Sequence, residues 1–177
     1  MRVLVVTAPD PVVTLEEAKA HLKVENDVED ATIVGMVAAA TSNAARFIER
    51  SLGTPTLEAR FDVYEAAGTL RLPFGPVISL VSVAWLDAGR QLVTGNLADF
   101  EVTDREIYPI SDAPWCGCYF GRDALRITYL AGYDPVPDDI RSAILLMTGH
   151  LYHNRGAVTA EPPAAIAVLL QPYRVLA

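Results

Sequence analysis

The sequence predicts an α+β fold, a helical bundle of two long and two short helices with an antiparallel β-module inserted between the long helices. Apolar residues recur at helical spacing in one long segment near each end of the chain, and short alternating segments fill the middle. We expect a helical core of residues 1–55 and 131–156, a β-module of residues 56–130, and a flexible linker, short helix and tail over residues 157–177. Neither long helix can bury its apolar stripe alone, so the two should pack together.

Composition narrows the class of protein. The chain has 177 residues, of which 51% are hydrophobic and 20% charged, which supports a packed core and argues against disorder. The net charge of −8 argues against nonspecific binding to nucleic acid or to an anionic membrane as the main activity. No stretch reaches the roughly 20 apolar residues of a membrane span, and the N-terminus is a poor signal peptide. We therefore expect a soluble protein, made in the cytoplasm, without a membrane partner.

The N-terminal region contains a clear helix start. Residues 3–6 are apolar and predict a short strand or an extended arm. Thr14 and Glu17 have the spacing of a capping box, in which each side chain bonds to the other residue's backbone. This pair predicts a short helix over residues 15–22.

The two long helices have recognisable ends. Asp30 is the expected N-cap of the first, over residues 31–52, and Gly53 follows as its terminating glycine. The second covers residues 138–155, where two aspartates suit the positive end of the helix dipole, and Gly156 permits a left-handed cap. It is the most apolar helix of the chain, so we expect it at the centre of a core.

Between these helices, alternation and turn residues predict a block of strands. Trp85 lies in the longest of them and should be half buried. The expected strands are residues 57–64, 69–72, 77–86, 91–94, 100–102, 106–110 and 124–130. A loop at residues 111–121 precedes the last of them.

Few residues suggest catalysis or metal binding. Cys116 and Cys118 could ligate a metal, but a zinc site needs about two further ligands, and a loop of small residues is the preferred interpretation. His150 and His153 lie three apart on the second long helix without the glutamate of a zinc-protease motif. We prefer local hydrogen bonding at the helix end, and predict no catalytic, metal or cofactor site.

The acidic turn of Glu25, Asp27, Glu29 and Asp30 is a second charged cluster. It lacks the glycine and the bidentate glutamate of a calcium loop, so we interpret it as a solvated turn.

Two apolar groups could bind partners. Trp115, Tyr119 and Phe120 sit in a loop, where aromatic residues often anchor interfaces, although the loop could equally fold back over the sheet. Near the C-terminus, Pro162 and Pro163 introduce a short helix over residues 164–170. Its apolar side chains, with those of the tail, form a patch that needs a partner.

The order of these signals resembles a known family. TLEEAKAHL opens the first helix, AGYDPVPDDIRSAILL leads into the second long helix, LYHNRG ends it, and LLQPYR closes the chain. This arrangement resembles the head-tail connector, or adaptor, proteins of tailed bacteriophages, prophages and gene transfer agents. None of these segments is catalytic.

The resemblance implies a structural role in the neck of a virion or phage-like particle assembled in the bacterial cytoplasm. Such adaptors form a ring, usually of twelve copies, under the portal protein, extend the DNA channel and receive the stopper or tail-completion protein. From the net charge of −8, we expect DNA to pass through this ring without specific binding. The resemblance assigns portal docking to the C-terminal segment, with the residues Ile166, Leu169, Leu170, Tyr173, Arg174 and Leu176.

Two alternative functions follow from the residues. The β-module aromatics could make the chain a small binding or adhesion module. An enzyme with a site near Cys116, His150 and His153 is the other alternative, although no sequence motif favours it.

Overall fold

The α+β class is confirmed by the computed structural model, in which helices and antiparallel sheets occupy separate parts of the chain. The structure describes residues 1–62, 69–110, 118–154 and 163–175.

The chain forms two compact units. A β unit comprises Met1–Pro9 and Thr54–Asp134, and a helical unit comprises Asp10–Gly53 and Pro135–Ala177. The first nine residues, expected with the helical core, lie in the β unit because residues 2–7 form a strand of its sheet.

The helical unit is built around two long helices whose apolar stripes face each other. Both stripes are almost fully buried, and the two shorter helices pack against the same pair. The stripes combine Ile33, Val37, Ala40, Ala44 and Ile48 with Ile140, Ala143, Ile144 and Met147. The helices are α1 (Leu15–Leu22), α2 (Asp30–Ile48), α3 (Asp138–His153) and α4 (Ala164–Leu170).

The predicted capping box is present at the start of α1. The Thr14 amide donates to Glu17 Oε2 over 2.8 Å, and the Glu17 amide donates to Thr14 Oγ1 over 3.2 Å. From α3, Arg141 donates to the carbonyl of Val12 over 2.9 Å and pairs with the Glu17 carboxylate. Local capping and a long-range ion pair therefore hold the same turn.

Both long helices end earlier than the sequence predicted. The expected end of α2 near residue 52 was wrong, because Glu49 already adopts the left-handed conformation (φ 57°) and the freed carbonyl of Ile48 accepts a hydrogen bond from Val175. Asp30 is the first helical residue rather than the cap, which is Glu29 without a side-chain cap bond. The helix α3 ends at His153, and the residues beyond Asn154 lie outside the described part.

The helix α2 has a second property that the sequence did not predict. Within the described residues it is the one helix long and apolar enough to span a membrane. Length and composition are weak evidence, because a helix that packs in a protein core meets the same criteria. Here one stripe of α2 is buried against α3.

The β unit contains two antiparallel sheets. The larger has the order β1-β2-β8-β4-β5 and the smaller the order β3-β7-β6. The arm at residues 3–6 is thus a strand at one sheet edge. The strands are β1 (Arg2–Thr7), β2 (Thr56–Phe61), β3 (Leu70–Arg71), β4 (Val77–Leu86), β5 (Leu92–Thr94), β6 (Phe100–Val102), β7 (Glu106–Pro109) and β8 (Leu125–Ala131).

One apolar core joins the two sheets. Alternate residues of β2 and β8 are buried, as the period of two requires for a sheet with one covered face. The Tyr129 hydroxyl lies in this core and donates to the Pro73 carbonyl over 2.6 Å. Burial raises the pKa of Tyr129, so the phenol stays neutral. The other members are Leu57, Ala59, Phe61, Leu70, Leu72, Val83, Phe100, Leu125 and Ile127, with Ile107 and Ala131.

The first prediction concerns the α1 turn. Hydrogen bonds from Thr14, foremost its backbone amide, and the nearby Arg141 cation lower the pKa of Glu17. A carboxylate whose folded-state pKa is depressed stabilises the fold above its unfolded pKa, and this contribution is lost as the pH falls through the folded-state pKa. We expect Glu17→Gln to lower the free energy of unfolding near neutral pH, and the difference from the wild type to shrink toward about pH 3.

Urea unfolding of both proteins across this pH range measures the difference. The exposed neighbour Glu16 supplies a matched control, Glu16→Gln, which should change the unfolding free energy by less than about 0.5 kcal/mol. A Glu17→Gln difference that stays constant as the pH falls would contradict the assignment.

Candidate interaction surfaces

The C-terminal segment packs onto the long helices of its own unit. The Val175 amide donates to the Ile48 carbonyl over 3.0 Å, and Arg50 Nε donates to the Tyr173 carbonyl over 3.0 Å. The Arg174 guanidinium lies 5.1 Å from the centre of the Phe47 ring. These contacts anchor the segment at the C-terminal end of α2.

A further contact links the segment to the start of α3. The Tyr173 hydroxyl donates to Asp139 Oδ2 over 3.2 Å. Partial desolvation, together with this hydrogen bond and the charge of the carboxylate, raises the pKa of Tyr173. The phenol is therefore a donor throughout the neutral range.

The predicted docking residues separate into buried and accessible groups. Ile166 and Leu170 are buried inside the helical unit, with 4% and 0% of their surface exposed. Leu169 and Tyr173 are partly exposed and Arg174 is exposed. Leu176 lies outside the described residues. Val168 is 72% exposed and lies beside the partly exposed Leu169, so the two form an accessible apolar strip on the outer side of α4.

The residues that hold this segment were not identified from the sequence. Phe47 lies in the last turn of α2 and Arg50 lies just beyond its end, and the pattern predicted only that both belong to the helix. Arg50 is 123 residues from Tyr173 in the chain, and local periodicity carries no information about such a pairing.

The two histidines of α3 make local contacts. The side-chain amide of Asn154 donates to the His150 carbonyl over 3.0 Å and lies 3.3 Å from His150 Nδ1. The His153 ring meets the Tyr152 ring edge-on, with centroids 5.6 Å apart. The contacts are those of a helix end, and they include no acidic partner for either ring among the bonds described.

The acidic turn before α2 is partly neutralised within the chain. Lys19 Nζ lies 2.6 Å from Asp27 Oδ1 and 2.8 Å from Asp30 Oδ1. Hydrogen bonding to Lys19 lowers the pKa of Asp27, although the Asp27 side chain is 88% exposed. Glu29 accepts a hydrogen bond from Tyr152 of α3. Through these ion pairs and this hydrogen bond, the turn connects α1, α2 and α3.

The loop aromatics are only partly described. Trp115 and Cys116 lie outside the described residues. Arg90 donates to the Tyr119 hydroxyl over 2.9 Å, and its guanidinium stacks 4.7 Å from the Tyr119 ring centre. Phe120 beside them is 79% exposed. This group is a small aromatic and cationic surface of the kind found at interfaces.

Cys118 and the other metal-ligating side chains can be compared with the candidate catalytic and metal sites only over the described residues. Burial raises the pKa of the Cys118 thiol, which keeps it protonated and a poor nucleophile. Within the described ranges, no three His, Cys, Asp or Glu side chains cluster in a way that could hold a metal ion.

The chain is similar in sequence to one protein family and in fold to several solved structures. Residues 12–88 match the family model "Phage gp6-like head-tail connector protein". No curated protein matches the sequence. Three solved structures share the fold at 20% identity, covering 100% of this chain and 97% of theirs. They are the neck of an empty GTA particle computed with C6 symmetry (TM-score 0.80), the virion of a native gene transfer agent particle (0.81) and the neck of a native GTA particle computed with C12 symmetry (0.76).

The family match covers α1, α2, β2, β3 and β4, and over these residues it confirms the resemblance to head-tail connectors. The structural likeness extends the shared fold through β8, α3 and α4.

The second prediction tests the division of the C-terminal segment. Leu170→Ala should lower the free energy of unfolding by about 2–5 kcal/mol, because it leaves a cavity in the helical unit. Val168→Ala, two residues away on the exposed side, should change it by less than about 0.5 kcal/mol. Urea unfolding measures both. Equal effects of the two variants would mean that α4 does not pack as described.

Proposed function

We propose that this chain is a structural head-tail connector, located in the neck of a tailed phage or a phage-like particle such as a gene transfer agent. The observation that carries the proposal is the connector family match over residues 12–88, joined to a fold shared with neck structures along the whole chain. The role is architectural: the chain joins other particle proteins and does not transform a substrate.

We also infer a homo-oligomeric ring, which the same comparison supports. Two of the similar structures are necks computed with sixfold and twelvefold symmetry, and a ring of identical copies around a DNA channel has this symmetry. We propose twelve copies. The portal protein lies on one side of the ring and a stopper or tail-completion protein on the other.

The accessible side of the C-terminal segment is the proposed portal contact. Ile166 and Leu170 are buried in the helical unit and are not accessible to a partner. The accessible surface consists of the exposed Val168 and Arg174 and the partly exposed Leu169 and Tyr173. An apolar strip with a cation at its end suits a hydrophobic groove that has an acidic rim.

The acidic character of the chain suits DNA passage. Each unit contains seven Lys and Arg against eleven Asp and Glu, so each has a formal charge of −4. A ring of such chains repels phosphates, which lets DNA move through it without being held.

The aromatic group of the β unit supports a second candidate function. Exposed Phe120 beside Arg90 and Tyr119 would let the chain act as a small binding or adhesion module. In a connector, the same group would contact a neighbouring neck protein, so the two functions differ in whether the C-terminal segment is needed.

The third prediction separates these functions with a point variant. Val168→Asp places a charge in the apolar strip and should weaken binding to the portal protein of the same particle by about tenfold or more, while the unfolding transition stays unchanged. Ala20→Asp puts the same charge on the exposed side of α1 and serves as the control.

Binding is measured by surface plasmon resonance on purified portal, and neck completion by electron microscopy of particles made with each variant. Particles with Val168→Asp should be tailless and leak DNA. Normal portal affinity of this variant, with lost function after Phe120→Ala instead, would favour the β-unit binding module.

A further inference from the structure

Three arginines lie side by side on the outer face of the larger sheet. In the register of the strands, Arg2 is directly opposite Arg60, and Arg60 is directly opposite Arg126. Residues directly opposite one another in antiparallel strands project from the same face, about 5 Å apart. We call these three residues the arginine row.

The row faces away from the core of the β unit. Arg60 lies between the buried residues Ala59 and Phe61, and Arg126 between the buried residues Leu125 and Ile127. Because side chains alternate along a strand, the arginines project from the opposite side of the sheet.

Like charges directly opposite in a sheet are destabilising, so the row needs compensation. Glu58 pairs with Arg60, and Asp123 pairs with Arg2 over 3.0 Å. Among the described residues, the buried Nε of Arg126 has no hydrogen-bond partner. The two ion pairs described here therefore neutralise Arg2 and Arg60 and leave the positive charge of Arg126, on the strand at the middle of the sheet.

The smaller sheet carries the opposite charge on its own outer side. The hairpin of β6 and β7 and its approach present four exposed carboxylates, while its buried residues Phe100 and Ile107 join the common core. Arg71, opposite Glu106, and Arg105 offset two of the four. We call this surface the acidic hairpin; its carboxylates are those of Asp99, Glu101, Asp104 and Glu106.

These two surfaces lie on opposite sides of one unit, since the sheets share a core between their inner faces. In a closed ring of identical copies, each copy meets its two neighbours through two different surfaces, which must complement each other. A positive surface on one side and a negative surface on the other meet this requirement within a single chain.

We propose that successive copies of this chain meet head to tail through the β unit, the arginine row of one copy facing the acidic hairpin of the next. The inference rests on the ring proposed above and names one of its contacts. Nucleic acid is a poorer occupant of the row, because the β unit as a whole has a formal charge of −4. In assembly, the contact between the arginine row and the acidic hairpin sets the register of successive copies, as complementary charge does at other interfaces.

A charge-exchange experiment tests this contact. Arg126→Glu makes both surfaces of a copy acidic, whereas Asp99→Lys with Glu101→Lys makes both basic. Each variant alone should associate with itself about tenfold or more weakly than the wild type. An equimolar mixture should recover to within about twofold of the wild type, because alternating copies restore opposite charges at every contact.

Sedimentation velocity measures association, and electron microscopy scores rings on purified portal. The three substitutions combined in one chain should also restore assembly. Lys23→Glu changes the net charge as Arg126→Glu does, at an exposed position in the helical unit, and should assemble normally. Thermal unfolding verifies that each variant is folded, and Arg126→Gln replaces Arg126→Glu if the latter does not fold.

Normal assembly of either variant alone would overturn the inference, as would a mixture no better than its components. Weaker retention of Arg126→Glu on duplex DNA with unchanged assembly would assign the row to nucleic acid and also overturn it. A wild type that forms rings neither in solution nor on portal would refute the ring itself, which distinguishes failure of the proposed function from failure of this contact.

Discussion

The antiparallel pairing of β2 with β8 is the constraint on which the β unit depends. Thr56 lies opposite Leu130 and Phe61 opposite Leu125, so the first and last strands of the insertion are neighbours in one sheet. The insertion thereby begins and ends side by side, and its closure does not depend on the lengths of the loops between. A long insertion closed in this way adds little entropic cost to the contact between the segments that flank it.

The corresponding long-range contact in the helical unit is the burial of α2 against α3. Small residues such as Ala40 and Ala44 line the α2 side, which permits close approach of the α3 residues. The C-terminal segment completes this unit by covering Ile48 and Phe47. The inner side of the segment stabilises the fold, and its outer side, which includes the exposed Val168, is where we propose that a partner binds. A single amphipathic helix can serve both because its two sides are independent surfaces.

Charged residues are distributed unevenly over the surface of the β unit. Both units carry the same formal charge, yet within the β unit the arginine row and the acidic hairpin lie on different faces. In an acidic protein, repulsion between copies opposes assembly, and a ring must overcome it at each contact. In the ring that we propose, opposite charges on opposite faces would offset this repulsion locally, while the net negative charge of the protein would still repel DNA. Under this proposal, assembly depends on the distribution of charge more than on its total.

The sequence by itself determined the α+β class, the capping box at Thr14, the positions of β4 and β6, and the resemblance to connectors. These features depend on periodicity and on short-range capping, which local sequence encodes. The tertiary structure decided where α2 ends, because the carbonyl of Ile48 is taken by Val175 from the other end of the chain. It also decided which of the C-terminal apolar residues are buried, and it alone aligned Arg2, Arg60 and Arg126. Strand register joins residues far apart in sequence, and no local pattern specifies which of them become neighbours.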